Sequence, residues 1–317
     1  MKHNQLRQVV FPVLAALIWG TAFVAQSVST EFVEPMTFNA VRSMIAFVVL
    51  LLGLQVFRLI RNKKPLAAEA EEVTDEEKKR RRKNLLLGSL CCGTALAVAS
   101  NLQQAGIAET SAGKTGFITA LYIVIVPILG LFLKKKVPIS VWVSVMIAVA
   151  GLYCLCVKAD FTIAPSDFLV FLCAIVYSLH ILVIDHFTQK VDGVALSCGQ
   201  FFVAMVWSAI GMAIFEHPSM AAIMQCIWPI LYVGVFSSGV AYTLQILAQK
   251  DSNPTVVSLL LSLESVFATL AGAVLLHEHM SGREYVGCVL MLVAVVLAQI
   301  PMPVKKKGKT ENFSKQS

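Results

Sequence analysis

NPTVVSLLLSLESVFATLAGAVLLHEHMSGR, residues Asn253–Arg283, reads as a membrane span with a carboxylate in its middle. Glu264 follows Pro254 by ten residues, about 15 Å along a helix at ~1.5 Å per residue. The hydrocarbon core of a bilayer is about 30 Å thick, which places Glu264 near the midplane. An ionised group at that depth costs several kcal/mol unless it faces protein or water. A related pattern stands 142 residues earlier, at Ser111–Val141. One costly carboxylate in one of two related hairpins points to a chain of two halves around a polar site.

Composition agrees. Of 317 residues 57% are hydrophobic and only 14% charged, with mean hydropathy +0.75. A soluble domain carries about 25% charged residues. The net charge of +7 sits in short basic clusters between apolar runs, so it argues for a polytopic membrane protein and against a nucleic-acid partner. All eight cysteines (Cys91, Cys92, Cys154, Cys156, Cys173, Cys198, Cys226, Cys288) lie in or beside apolar runs, without disulfide or metal-site spacing. The first apolar stretch follows Lys2 and Arg7 and continues through Trp19, Phe23 and Val28. That is too long for a cleavable signal and fits a first spanning helix.

Ten helices are expected: Gln8–Val28, Pro35–Ile60, Asn84–Ile107, Thr110–Leu133, Ile139–Val157, Asp167–Phe187, Val194–Phe215, Ile227–Gln249, Pro254–Leu276 and Glu284–Ile300. With both termini cytoplasmic, the inside segments hold 22 of the 26 Lys and Arg residues. The one long loop, Arg61–Lys83, contains EEVTDEEKKRRRK, in which Thr74 and Glu77 fit a capping box. Asp75/Lys79, Glu76/Arg80 and Glu77/Arg81 have favourable i,i+4 spacing, as in a solvated helical extension.

At an offset of 142, helices three to five overlay helices eight to ten without a gap, with Gln103 on Gln245 and Gly130 on Gly272. At an offset of 158, Trp19 falls on Tyr177 and Gly20 on Ser178. Each half holds five helices, an odd number, so the second half must enter from the opposite side. The fold class expected is an all-α membrane protein of two inverted five-helix repeats, 8–157 and 165–300, with a basic tail at 301–317.

Candidate chemistry follows from polar groups inside the apolar runs. Arg42 lies seven residues after Pro35, about 10 Å into helix two. It either snorkels or faces a cavity, where it can meet Glu264 or an anionic substrate group. Lys114 opens helix four on the same side. Polar stripes recur: Trp19 and Gln26; Asn39, Arg42 and Ser43; Ser100, Gln103 and Gln104; Ser197, Gln200 and Ser208; Ser238, Tyr242, Gln245 and Gln249. Such stripes either hydrogen-bond helices together or line a wet cavity. Helix six carries Tyr177 and His180, then Asp185-His186 as a helix-end pair; His180 suits a proton relay or an interhelical bond. His277-Glu278-His279 is not HExxH and makes a poor metal site. Pro127 is expected to interrupt helix four.

These residues resemble the EamA-type transporters of the drug/metabolite transporter superfamily. LAALIWGTAFV (Leu14–Val24), PMTFNAVRSMIAF (Pro35–Phe47) and SAGKTGFITALYIVIVPILG (Ser111–Gly130) carry the likeness in the first half. SSGVAYTLQ (Ser237–Gln245), SLES (Ser262–Ser265) and LLHEHMSG (Leu275–Gly282) carry it in the second. The resemblance implies a central cavity, peripheral helices five and ten, and export of amino acids, other metabolites or drugs across the bacterial inner membrane. Arg42 and Glu264 stand at the family's marked polar positions. Ser265 replaces a common proline, and His277-Glu278-His279 replaces the commoner Gly-Glu-Arg.

The expectation is therefore a secondary transporter, not an enzyme, exporting a small metabolite such as an amino acid or drug-like compound by alternating access. A lipid-linked flippase is the alternative, and a membrane-embedded enzyme or scaffold the rival class. No HExxH, GxSxG or GxxxxGK[ST] occurs, so neither hydrolysis nor direct ATP use is indicated. The expected substrate-binding or gating residues are Trp19, Asn39, Arg42, Gln104, Lys114, Tyr122, Tyr177, His180, Gln200, Tyr242, Gln245 and Glu264. No cofactor or metal is expected. The partners are the substrate, the bilayer and a coupling proton, in a monomer or homodimer.

Overall fold

The computed structural model describes residues 3–63, 74–110, 112–135, 137–156, 164–250, 252–275 and 280–299. The first part of the long loop, His277-Glu278-His279 and the basic tail lie outside the described residues. Within them every regular element is helical. The first three expected helices are α1 (His3–Ser29), α2 (Pro35–Lys63) and α3 (Asp75–Ile107). The fourth comes in two pieces, α4 (Ala112–Thr119) and α5 (Tyr122–Phe132). Then follow α6 (Ile139–Cys156), α7 (Pro165–Thr188), α8 (Gly193–Phe215) and an unforeseen short α9 (Met220–Gln225). The eighth comprises α10 (Ile227–Tyr232), a π-helical stretch (Val233–Ala241) and α11 (Tyr242–Gln249). The ninth is again split, into α12 (Pro254–Leu261) and α13 (Glu264–Leu275), and α14 (Gly282–Gln299) closes the series. Among the described residues, nine segments are long and apolar enough to cross a membrane, and the apolar stretch Ile139–Leu155 is shorter.

α3 starts nine residues before its apolar run because its first turn is built for it. Thr74 caps it, its Oγ1 accepting from the Glu77 amide at 3.3 Å. Asp75, Glu76 and Glu77 complement the helix dipole in that turn. Arg81 pairs with Glu77 at 2.6 Å as the spacing requires, whereas Asp75 takes Lys78 rather than Lys79.

The two split helices break at the same place. Ala120–Leu121 and Ser262–Leu263 are 142 residues apart, and so are the starts and first ends of the flanking pieces: Ala112/Pro254, Thr119/Leu261 and Tyr122/Glu264. At each break the amides reach three residues back instead of four: Leu121 to Ile118 and Ile123 to Ala120, then Leu263 to Leu260 and Ser265 to Ser262. Pro127 does not make the first interruption; it sits inside α5, and the break lies N-terminal of it. The second break forms with serine at position 265.

Burial differs from that of a soluble protein, since large apolar groups lie outside as well as in the core and several polar ones lie inside. Phe57, Phe132, Trp228 and Val274 are exposed, while Arg42, Gln104, Gln200, Gln245 and Glu264 are buried. These exposed apolar groups suit a bilayer, and small residues let the backbones approach. A Cβ on Gly20 of α1 would meet Ala268 N, Glu264 O and Phe267 Cβ of α13, each at 2.7 Å. α6 and α14 pack antiparallel: Gly151 faces Gly287, Leu290 and Met291, while Leu155, further along α6, faces Gly287.

Gly20→Ala is expected to destabilise the protein by about 1–3 kcal/mol, the usual range for overpacking. Thermal unfolding in detergent measures it. Gly53→Ala, where a Cβ meets nothing within 4 Å, is the control and is expected to leave the transition in place.

Candidate functional site

The broken helices meet in the interior. Tyr122 opens α5 and Glu264 opens α13, and the Tyr122 hydroxyl donates to Glu264 Oε1 at 3.0 Å. Around this bond lies a cavity with about 490 Å³ of empty volume. α1 contributes Trp19, Phe23 and Gln26, spaced four and three so that all fall on one face. α2 contributes Arg42, α3 Gln103, α4 Thr119 and α7 Tyr177, His180 and Ile181. The π-helical stretch and α11 contribute Ser237, Tyr242 and Gln245, and α12 Leu261.

An aromatic wall occupies one side. The Trp19 and Tyr242 ring centroids are 4.8 Å apart, and His180 stands edge-on to Tyr242 at 6.0 Å. The Tyr242 hydroxyl donates to that of Tyr177 at 3.1 Å, and Trp19 Nε1 donates to the Ser237 carbonyl at 3.2 Å. Ser237 lies in the π-helical stretch, where bonding reaches five residues back and widens the turn. The same bonding turns Ser237, five residues before Tyr242, toward the cavity that an α-helical stripe would have offered to Ser238.

Two charged groups line the cavity, each only 4% exposed: Arg42 and Glu264. They form no ion pair. Among the described residues the ion pairs are Lys78–Asp75, Arg81–Glu77, Lys114–Asp167 and Lys135–Asp185. The Arg42 guanidinium stacks over the Phe38 ring at 5.6 Å, and its Nε has no hydrogen-bond partner among the described residues. A buried guanidinium without an anion is costly, since desolvation of the charge is not offset. Arg42 therefore does not snorkel; its side chain is held inside the fold, on the cavity wall.

Eight of the twelve expected site residues line this cavity: Trp19, Arg42, Tyr122, Tyr177, His180, Tyr242, Gln245 and Glu264. The other four are placed elsewhere. Asn39 Nδ2 donates to Ser100 O at 3.1 Å and to Asn101 Oδ1 at 3.0 Å, tying α2 to α3. Gln104 Nε2 donates to the Gln26 carbonyl at 3.1 Å, and its neighbour Gln103 takes the lining position. Gln200 Oε1 lies 3.1 Å from His180 Nε2, so Gln200 orients a lining residue without being one. Lys114 pairs with Asp167 at 2.5 Å, in a cluster where Asp167 also accepts from Thr110 Oγ1 and the Ala164 amide. Asp185 and His186 do not pair with each other: Asp185 binds Lys135, and His186 Nε2 lies 2.6 Å from Lys190 Nζ. Gln26, Gln103, Thr119 and Ser237 also line the cavity, and the first two were visible in the polar stripes.

A family model described as the EamA-like transporter family matches residues 6–157 and again 164–299. An uncharacterized transporter of Archaeoglobus fulgidus is 28% identical over 288 residues, covering 90% of this chain and 84% of that relative. The uncharacterized transporter YoaV of Bacillus subtilis is 22% identical over 287 residues, covering 89% of this chain and 92% of its own. A solved crystal structure with 17% identity superposes at a TM-score of 0.73 over 92% of this chain and 96% of that one, which bears on the fold alone. With both of its halves matched, this multi-pass membrane protein belongs to the EamA-like transporter family.

Proposed function

We propose that the chain is a secondary transporter exporting a small amphipathic metabolite that carries both a carboxylate and an amine, such as an amino acid. One observation carries this reading. Arg42 and Glu264, a base and an acid, are buried in one cavity with no bond to each other. A zwitterion supplies the missing anion to Arg42 and a cation to Glu264, while its apolar side chain rests on Trp19, Tyr177 and Tyr242. Glu264 is also the group to carry a coupling proton when the site is empty.

Alternating access would work through two inverted halves, 8–157 and 165–300. The coincident breaks in α4–α5 and α12–α13 support that symmetry, as does the antiparallel packing of α6 on α14. Bending at the breaks would open the cavity to one side and then the other. Lys114, held by Asp167, would close the outer side. The Lys/Arg distribution supports cytoplasmic termini in the cell's inner membrane, and export is the direction the family resemblance implies.

A lipid-linked flippase remains the second reading, because a groove with about 1170 Å³ of empty volume runs beside Val98, Leu102, Leu169, Trp207 and Gly211. Counterflow in proteoliposomes against a panel of labelled amino acids separates the two. Saturable exchange by the wild type supports the transporter; scrambling of lipid-linked tracer without such exchange moves the assignment to the flippase.

Arg42→Ala is expected to lower kcat/KM for a carboxylate-bearing substrate about a hundredfold or more, the cost of leaving one buried charge unpaired. Arg42→Lys should recover part of it. Unchanged exchange in both variants would remove Arg42 from the route.

Tyr122→Phe deletes the side-chain hydrogen bond that Glu264 accepts among the described residues and is expected to cost about ten- to a hundredfold, the range for a bond to a charged group. Its partner test is Glu264→Gln. If the two residues act together, the double variant is no worse than Glu264→Gln alone in the same counterflow assay. Fully additive losses would show that they act separately.

A further inference from the structure

We propose that the chain carries a binding site for the phosphate headgroup of an anionic phospholipid on its basic face, apart from the central cavity. The site is a recess with about 1730 Å³ of empty volume between the start of α3, the turn joining α7 to α8, and the end of α11. Five cations line it: Arg80, Arg81 and Arg82 from α3, Lys190 from the turn, and Lys250 after α11.

The acids in its wall are already engaged. Glu77 holds Arg81 at 2.6 Å, and Asp192 Oδ1 accepts from the Ala195 amide at 2.8 Å, capping α8. Lys190 leans on His186 Nε2 and on the Phe187 ring. Arg80, Arg82 and Lys250 make no ion pair among the described residues. The recess therefore presents at least three uncommitted cations drawn from two separate elements, a complement for a phosphoryl anion.

The surroundings choose the lipid over a soluble phosphate. Beyond Lys83 and Asn84 the same helix turns apolar: Leu86, Leu87 and Leu90 are all exposed. Leu85 and Val191 lie in the wall of the recess itself. A headgroup seated on the arginines thus has its acyl chains beside exposed leucines one to two turns further along α3, as expected for a basic cluster at the end of spanning helices.

The test is native mass spectrometry of the full-length detergent-solubilised protein titrated with phosphatidylglycerol, phosphatidylcholine or inorganic phosphate. The expected result is retained phosphatidylglycerol adducts, binding at least about tenfold tighter than phosphatidylcholine. Arg80→Gln/Arg82→Gln/Lys250→Gln should abolish that preference, each cation near the surface contributing severalfold. Lys78→Gln/Lys79→Gln/Lys83→Gln removes equal charge from the same helix outside the recess and should leave the preference intact. Equal losses in both triple variants would reduce the site to bulk charge and overturn it. Inorganic phosphate competing at comparable concentration would overturn the lipid assignment. Both variants should keep the wild-type melting transition, since the substituted side chains are exposed.

Discussion

The hydrogen bond from Tyr122 to Glu264 is the contact on which the interior depends. A carboxylate buried to 4% exposure needs a donor, and the fold supplies it from the matching position of the other half. Because each residue opens the second piece of a split helix, their bond holds the two breaks face to face. Backbone released at a break cannot face lipid; it must be buried in protein or line a cavity. That constraint pulls α1 onto α13, where only Gly20 lets the backbones meet, and packs α7 against α5. The cavity is what remains between elements drawn together in this way.

The polar stripes divide according to what each helix faces. The α8 stripe is structural: Ser197 bonds Thr243, Gln200 bonds His180 and Ser208 bonds Asn101. Asn39 on α2 belongs with it. The α1 stripe and Gln245 instead line the cavity. Glue and lining thus use the same residue types, and spacing alone does not separate them. Nor does a partner on a neighbouring helix separate them, since Trp19, Gln103 and Tyr242 line the cavity and are bonded across helices as well.

Much of the architecture was legible in hydropathy and charge. Each expected helix has a helical counterpart, and the 142-residue offset located both split helices before any break was visible. The breaks themselves left no mark in the sequence: Pro127 misled, and position 265 lacks the proline that would have signalled a kink. A switch from four-back to three-back bonding is decided by how neighbours accommodate the released groups, not by the residue at the break. The π-helical stretch was hidden for the same reason. Lys114 shows the limit for side chains, since its partner Asp167 lies 53 residues away across a helix pair. Gln103 and Gln104 differ by about 100° around one helix, too fine a choice for an expected boundary good to a few residues.

The separation of Arg42 from Glu264 has a consequence for how such a protein would work. Had the two paired, the cavity would be electrostatically complete, and any ligand would first have to break a buried ion pair, at a cost of several kcal/mol. Held apart, Arg42 keeps an unpartnered Nε and Glu264 is met by Tyr122, and the two groups sit on opposite halves of the chain. Arg42 belongs to the first repeat and Glu264 to the second. A ligand bearing both charges would then bridge the halves through its own groups, so occupancy would change the energy of their relative position. A ligand bearing one charge would satisfy one half only. Under the transporter reading, recognition and movement thus draw on the same two side chains.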